Sequence, residues 1–395
     1  MDDQLSRLMR GVDVVQPPTA LAEKLAKGDR LRVKLGLDPT APAVTLGWAV
    51  VLRKLRHFQE LGHTAVLIVG DFTAQVGDPS GKSETRRRLS RDEVMGYAEA
   101  LLTEFQRVLR PEPLEIRYNS EWLDAIDMAG LLELTSKATV AQMLERGDFA
   151  KRFATNTPIS VMEFLYPLLQ GYDSVAVEAD IELGGSDQLW NLMMGREVQR
   201  GYGMTPQVAM TMPLLIGTDG EQKMSQSLGN YIGVAEPANE QFGKTMSIPD
   251  ELLMQWFELA TEVPLDDLES IRVGLEDGSL HPNATKRRLA REIVGLYHSP
   301  EAAIEAEAHF DSIHKRHEVP DDIDTCAVPD EDPVSLPGLI RTAGLAASGG
   351  EARRLIQQGA VRIDGAVVDE VEVPRNRLDG VVLQVGKRRF VRLEV

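Results

Sequence analysis

The segment His63-Thr-Ala-Val-Leu-Ile-Val-Gly-Asp-Phe72 is a near-continuous apolar run that ends on a glycine, an aspartate and a phenylalanine. Such a run offers water no polar face, so it belongs in a parallel sheet covered on both sides. An earlier segment, Leu31-Arg-Val-Lys-Leu-Gly-Leu37, also has strand character and stops at the breaker Asp38-Pro39-Thr40. Beyond it, Val51, Leu55 and Phe58 set a helical period over Trp48 to Leu61. Leu114 to Tyr118, Ser174 to Ile181 and Gln207 to Met212 are further strand candidates, with helical stretches between them. Strands alternating with helices predict a doubly wound α/β domain over residues 1–235.

After Glu236 the pattern changes. Residues 236–317 are helical and charged without strand runs, which predicts a separate helical domain. Residues 318–335 carry three prolines and seven acidic side chains, a composition that buries little apolar surface and reads as an acidic linker. Residues 336–395 return to short strands, Ala360 to Ile363, Val381 to Val385 and Phe390 to Leu393, after a helix around Glu351 to Gln358. They make a small α+β module, and 395 residues leave room for all of these parts.

Charge separates the parts as well. The chain carries a net charge of −18, yet from Ser335 onward ten Lys and Arg face seven Asp and Glu. The acidic body argues against broad non-specific attraction to nucleic acid, so any RNA contact must be local. The single cysteine, Cys326, cannot close an internal disulfide and supplies no zinc cluster, so no metal site is expected. No apolar stretch approaches bilayer length and the Met1-Asp-Asp-Gln start lacks signal character, so a cytoplasmic protein without membrane contact is expected.

Several short blocks carry chemistry. The turn from Asp38-Pro39-Thr40 to Trp48 leads a strand into a helix, and the free N–H groups of a helix start favour phosphate. In isolation Asp38 and Thr40 would only shape that turn. Gly77-Asp-Pro-Ser-Gly-Lys82-Ser83 resembles the phosphate loop Gly-x-x-x-x-Gly-Lys-Ser but is one residue short, and Asp78 inside it argues against an anion cradle. Tyr166, Gln170 and Asp173 lie four and three residues apart, along one helix face, where they can converge on one small ligand. The glycines of Gly184-Gly-Ser-Asp-Gln188 let the backbone approach a ligand closely. Lys223-Met-Ser-Gln-Ser227 forms a loop between Gly220 and Gly229 that bears one cation.

In this order the blocks resemble the class I aminoacyl-tRNA synthetases, and over nearly the whole chain they resemble the bacterial tyrosyl-tRNA synthetase family. That family carries His-x-Gly-His and Lys-Met-Ser-Lys-Ser motifs. Here Thr45 and Trp48 take the places of the two histidines, and Gln226 that of the second lysine. The resemblance implies a Rossmann-like catalytic domain, a helical anticodon-binding domain and an S4-like RNA-binding tail, working as a homodimer. It implies that Asp78, Tyr166, Gln170 and Gln188 hold tyrosine and that Asp173 accepts from its phenol. Asp38, Thr40, Gly47, Gly185, Asp187, Lys223, Met224 and Ser225 would meet ATP, with Lys82 and Arg86 on a loop that reaches the pyrophosphate. Arg353, Arg354, Arg362, Lys387 and Arg388 would meet RNA. Some relatives make a second phenol contact from a tyrosine at the position of Lys34, which this chain lacks.

The implied reaction joins L-tyrosine and ATP, accompanied by Mg²⁺, into tyrosyl-adenylate and then transfers the tyrosyl group to tRNA(Tyr), with no tightly bound cofactor. No protein base is required in the first step, because the substrate carboxylate is the nucleophile and catalysis is placement plus charge stabilisation. Loss of one pre-organised donor typically costs about 2.7–4 kcal/mol of barrier. Two readings follow from the altered motifs: a working synthetase with Thr45 and Gln226 donating in place of the usual groups, or a paralogue without adenylation that keeps tyrosine or RNA binding. Asp173 and the tail argue against a tryptophanyl enzyme.

Overall fold

The computed structural model describes residues 2–78, 89–314, 323–386 and 389–395. The chain forms two compact units, Met1–Ile304 and Glu305–Val395.

In the first unit six strands form one sheet: β1 (Val14–Gln16), β2 (Arg32–Leu37), β3 (Thr64–Val69), β4 (Leu114–Tyr118), β5 (Ile181–Gly185) and β6 (Val208–Met212), in the order β1-β6-β5-β2-β3-β4. Only β1 runs antiparallel to its neighbour. All six residues of β3 are buried, as its apolar run requires. From β2 the chain first builds outward through β3 and β4, then returns to the other side of β2 with β5. The order therefore reverses between β2 and β5, and in such sheets the crevice at the carboxyl ends is where ligands bind.

The strand expected at Ser174–Ile181 is placed differently. The helix Val161–Ala176 continues through Ser174, and the strand begins only at Ile181. Ser174 is held in the last helical turn because its hydroxyl lies between Lys34 Nζ (2.8 Å) and Glu182 Oε2 (3.2 Å). β1 has no sequence signal, since three half-buried residues are too few to show a period.

The helix Leu46–Glu60 packs Leu46, Leu52, Leu55 and Phe58 against Val33, Leu35, Ala65 and Leu67 of the sheet. Trp256, Phe257, Leu289 and Ile293 belong to that same core. The helices expected as a separate domain at 236–317 thus share a core with the sheet as far as Ile304, because their apolar faces point at it and not at one another alone. Trp256 Nε1 also donates to the Ile216 carbonyl at 3.1 Å. On the opposite face, Leu168, Leu169, Met194 and Val198 join the helices Val161–Ala176 and Leu189–Gly201.

In the second unit, Ala366–Val367, Val361–Ile363, Val382–Val385, Arg389–Glu394 and Thr325–Ala327 form a five-stranded sheet in that spatial order. The helices Leu336–Thr342 and Gly349–Gln357 cover it with Leu339, Ile340, Ala352 and Ile356. Of the expected linker 318–335, residues 318–322 lie outside the described residues, and the remainder is corrected here. Thr325–Ala327 pairs in parallel with Arg392–Glu394, and Val328 and Val334 are buried in this unit's core. Backbone pairing stabilises an edge strand without an apolar pattern, which is why acidic composition misread it.

Candidate active site

A cleft of about 940 Å³ opens at the carboxyl ends of β2, β3 and β5. Asp38, Thr40, Thr45, Gly47, Trp48, Asp78, Tyr166, Gln170, Asp173, Gly185, Asp187, Gln188, Lys223, Met224, Ser225 and Gln226 all line it. Lys82 and Arg86 lie outside the described residues. Residues far apart in the chain therefore meet around one space.

At one end, a continuous chain of hydrogen bonds fixes the floor. Tyr166 donates to Asp38 Oδ2 at 2.9 Å, and Thr73 donates to Asp38 Oδ1 at 2.7 Å. Asn119 Nδ2 donates to Thr73 Oγ1 (2.9 Å) and Asp173 Oδ2 (3.3 Å), while Trp122 Nε1 donates to Asp173 Oδ1 at 2.8 Å. Gly70 makes this possible, since a Cβ there would overlap Asp38 Oδ1 and Thr73 Oγ1. Burial, with Asp38 adding to it, holds the Tyr166 phenol well above its ordinary value. Burial also lifts the Asp173 carboxyl to about 7, against the pull of Lys34, Trp122 and Asn119.

Lys34, at the position of the missing tyrosine, does not face the cleft. It is fully buried and donates to Glu182 Oε1 at 2.9 Å, the Gln170 carbonyl at 2.9 Å and Ser174 Oγ at 2.8 Å. An ammonium has three protons, so these partners occupy it completely. Gln170 Nε2 donates to the same Glu182 oxygen at 3.2 Å, and Gln170 Oε1 has no partner among the described residues. That orientation leaves a buried acceptor suited to an incoming ammonium.

At the other end the two signature turns meet. Thr45 is the N-cap of the helix Leu46–Glu60 and accepts from Trp48 N at 3.3 Å. Its hydroxyl serves the helix start, where the sequence suggested a donor to triphosphate. Gly47 N donates to Met224 Sδ at 3.3 Å, and Gln226 Nε2 donates to the Ala43 carbonyl. The Trp48 indole lines the cleft and packs against the main core. Lys223 pairs with Asp187 at 2.7 Å, so the expected phosphate cation and ribose acceptor hold each other.

In the second unit Arg353 and Arg354 are exposed on the helix Gly349–Gln357, whose Ala352 and Ile356 face inward. Arg362 donates to the Gly365 carbonyl at 2.9 Å, and Lys387 and Arg388 lie outside the described residues. Among the described residues no helix is long and apolar enough to cross a membrane.

Sequence reasoning missed Thr73, Asn119, Trp122 and Arg146. None sits in a recognisable block, and Thr73, Asn119 and Arg146 are marked only by their depth in the fold, where a polar residue needs a partner.

Known proteins share both the sequence and the fold of this chain. The model of tRNA synthetases class I (W and Y) matches residues 26–315, and that of the S4 domain matches 336–374. The chain belongs to the class I tRNA synthetases. It is 55% identical over 394 residues to the tyrosine–tRNA ligase of Moorella thermoacetica, covering 99% of this chain and 95% of the relative. The tyrosine–tRNA ligase of Geobacter sulfurreducens is 48% identical, covering 99% and 98%. Within the class, then, it is a member of the tyrosine–tRNA ligase family. The fold is shared with a truncated mitochondrial tyrosyl-tRNA synthetase of Aspergillus nidulans, at TM-score 0.65 and 19% identity over 78% of this chain and 93% of that one. Nothing among these relatives favours a paralogue without adenylation.

Proposed function

We infer that the cleft seats L-tyrosine with its ammonium toward Asp78, Tyr166, Gln170 and Gln188 and its phenol toward Asp173. ATP lies across Asp38, Thr40, Gly47, Gly185 and Asp187, bringing Mg²⁺ with it as part of the substrate. The tyrosine carboxylate attacks the α-phosphorus, pyrophosphate departs with the electrons of the broken P–O bond, and tyrosyl-adenylate remains. The terminal ribose of tRNA(Tyr) then displaces AMP. The chain acts as a tyrosine–tRNA ligase.

One observation carries this reading: a single cleft gathers the Tyr166–Gln170–Asp173 face and both signature turns at the carboxyl edge of the sheet. Binding ATP separates Lys223 from Asp187, freeing the cation for phosphate and the carboxylate for ribose. Gln226 braces the two turns through Ala43, and Thr45 and Trp48 complete the nucleotide end with Lys82 and Arg86. Catalysis is placement plus donors aimed at developing charge. Residues 1–235 supply this site, 236–317 the anticodon contacts, and Arg353, Arg354, Arg362, Lys387 and Arg388 meet the RNA backbone.

The homodimer has support in large apolar side chains left exposed, Met128, Leu132, Val140, Phe153 and Val161, which contact with a second copy would cover. Cytoplasmic placement fits the single cysteine. The test is tyrosine-dependent exchange of pyrophosphate into ATP. Exchange is expected, and its absence in protein that binds tyrosine would overturn the adenylation assignment.

A further inference from the structure

Arg146 lies immediately before the helix Gly147–Ala154, 5% exposed, and does not line the cleft. Its guanidinium stacks over Phe149 (5.0 Å) and Trp190 (5.8 Å). Nε pairs with Asp148 at 2.8 Å, and NH1 donates to Asn191 Oδ1 at 3.2 Å. Asn191 Nδ2 donates to Gln188 Oε1 at 2.9 Å, and Gln188 Nε2 donates to Asp78 Oδ2 at 3.0 Å. The circuit closes on Arg146 itself, whose NH2 stands 3.8 Å from Asp78 Oδ1.

Direction is what makes this circuit informative. A carboxamide can present either its oxygen or its nitrogen to a neighbour, but a guanidinium can only donate. Arg146 therefore obliges Asn191 to turn its oxygen inward and its NH2 toward Gln188. Gln188 must then give its oxygen to Asn191 and its NH2 to Asp78. Asp78 can only accept and so favours the same orientation from the far end; Arg146 is the fixed donor that pins Asn191 from behind, and without it the seat of Gln188 against the Asp78 carboxylate loses that support. Asp148 draws the arginine's charge to its own side, so the guanidinium stays beyond hydrogen-bond distance of Asp78.

We propose that Arg146 is a positioning residue for the amino group of the substrate: through Asn191 and Gln188 it orients Asp78 to receive the α-ammonium of tyrosine. This rests on the assignment of Asp78 to the ammonium made above. Arg146 acts from behind the cleft wall, so its loss changes recognition of the ammonium and leaves the phenol and carboxylate contacts as they are.

Calorimetry on the full chain with L-tyrosine, tyramine and 3-(4-hydroxyphenyl)propionate separates these terms, because the second lacks the carboxylate and the third lacks the ammonium. In Arg146→Met, tyrosine and tyramine are expected to bind on the order of tenfold or more weaker, the size of a small misplacement, while the propionate is unchanged. Arg146→Lys keeps the charge without the fork and falls between the two. Asn191→Ala cuts the relay beyond the arginine and gives the Arg146→Met pattern, which keeps the test valid if Arg146→Met does not fold. Equal losses for all three ligands, or undiminished tyramine binding, would overturn the proposal. Asp78→Asn distinguishes the two levels. If it leaves tyramine binding intact, the Asp78 assignment itself is wrong; if it weakens tyramine while Arg146→Met does not, only the relay is wrong.

Discussion

Replacing Asp173 by asparagine keeps the side chain's shape and removes a charge from the floor of the amino-acid end. The structure shows why the swap is not benign. Trp122 Nε1 and Asn119 Nδ2 both donate to this carboxylate, at 2.8 and 3.3 Å. An asparagine has one oxygen for two donors, so its new NH2 must face one of them. Asn119 cannot turn to help, because its Oδ1 accepts from Phe72 N at 3.0 Å while its Nδ2 also serves Thr73 at 2.9 Å. A hydrogen bond to a charged acceptor contributes about 1.5–3 kcal/mol, so losing the phenol contact weakens tyrosine on the order of 10- to 150-fold. Phenylalanine has no hydroxyl to lose and should weaken much less.

The pH profile gives a second reading of the same residue. Burial holds the Asp173 carboxyl at about 7, above the ordinary carboxylate range. A phenol donates to the ionised form, so tyrosine binding favours deprotonation. Tyrosine affinity therefore rises as pH climbs through about 7 and levels off above it, whereas in Asp173→Asn the profile is flat through that window. Calorimetry with both amino acids, below and above that value, reads all of this. Equal losses for tyrosine and phenylalanine, or a pH step that survives in the variant, would refute the reasoning.

Lys34→Met leaves Glu182, 1% exposed, without its cation, and breaking such a pair costs about 3–5 kcal/mol in urea unfolding. Adding Glu182→Leu should return most of that loss, and an unchanged single variant would contradict the pairing. Gln226→Lys restores a cation beside the two turns and should speed pyrophosphate exchange by about tenfold or more with tyrosine affinity unchanged; a slower rate would show that the brace to Ala43 matters more than charge. Arg353→Glu with Arg354→Glu should raise the KM for tRNA and flatten its dependence on salt, and an unaltered salt slope would remove these two side chains from the RNA contact.

The β2 turn, the β3 run and the Tyr166–Gln170–Asp173 face were legible because each is a local pattern: a breaker after a strand, an unbroken apolar run, a helical spacing. Ser174–Ile181 misled because alternation at a helix end looks the same as alternation in a strand, and only the contact with Lys34 and Glu182 decides. The helices after residue 236 read as their own domain because sequence shows that an apolar face exists and not what covers it. Arg146 was invisible for a related reason. Its meaning lies in Asn191, Gln188 and Asp78, which stand 45, 42 and 68 positions away along the chain. Thr45 and Gln226 were legible as positions, yet their present partners, a helix cap and a neighbouring carbonyl, come from the turn geometry.

The strand Thr325–Ala327 bears on where the tail can be cut. Arg389–Glu394 has Val382–Val385 on one side and this short strand on the other. A fragment begun at Leu336, where the S4 match starts, would leave the outer N–H and C=O groups from Arg392 to Glu394 open to any passing chain. It would also leave Val328 and Val334 out of the core they fill. A soluble version of the tail must start upstream of Asp324, whose carbonyl accepts from Arg392 N at 2.9 Å, so the acidic stretch is the selvedge that keeps the basic module single.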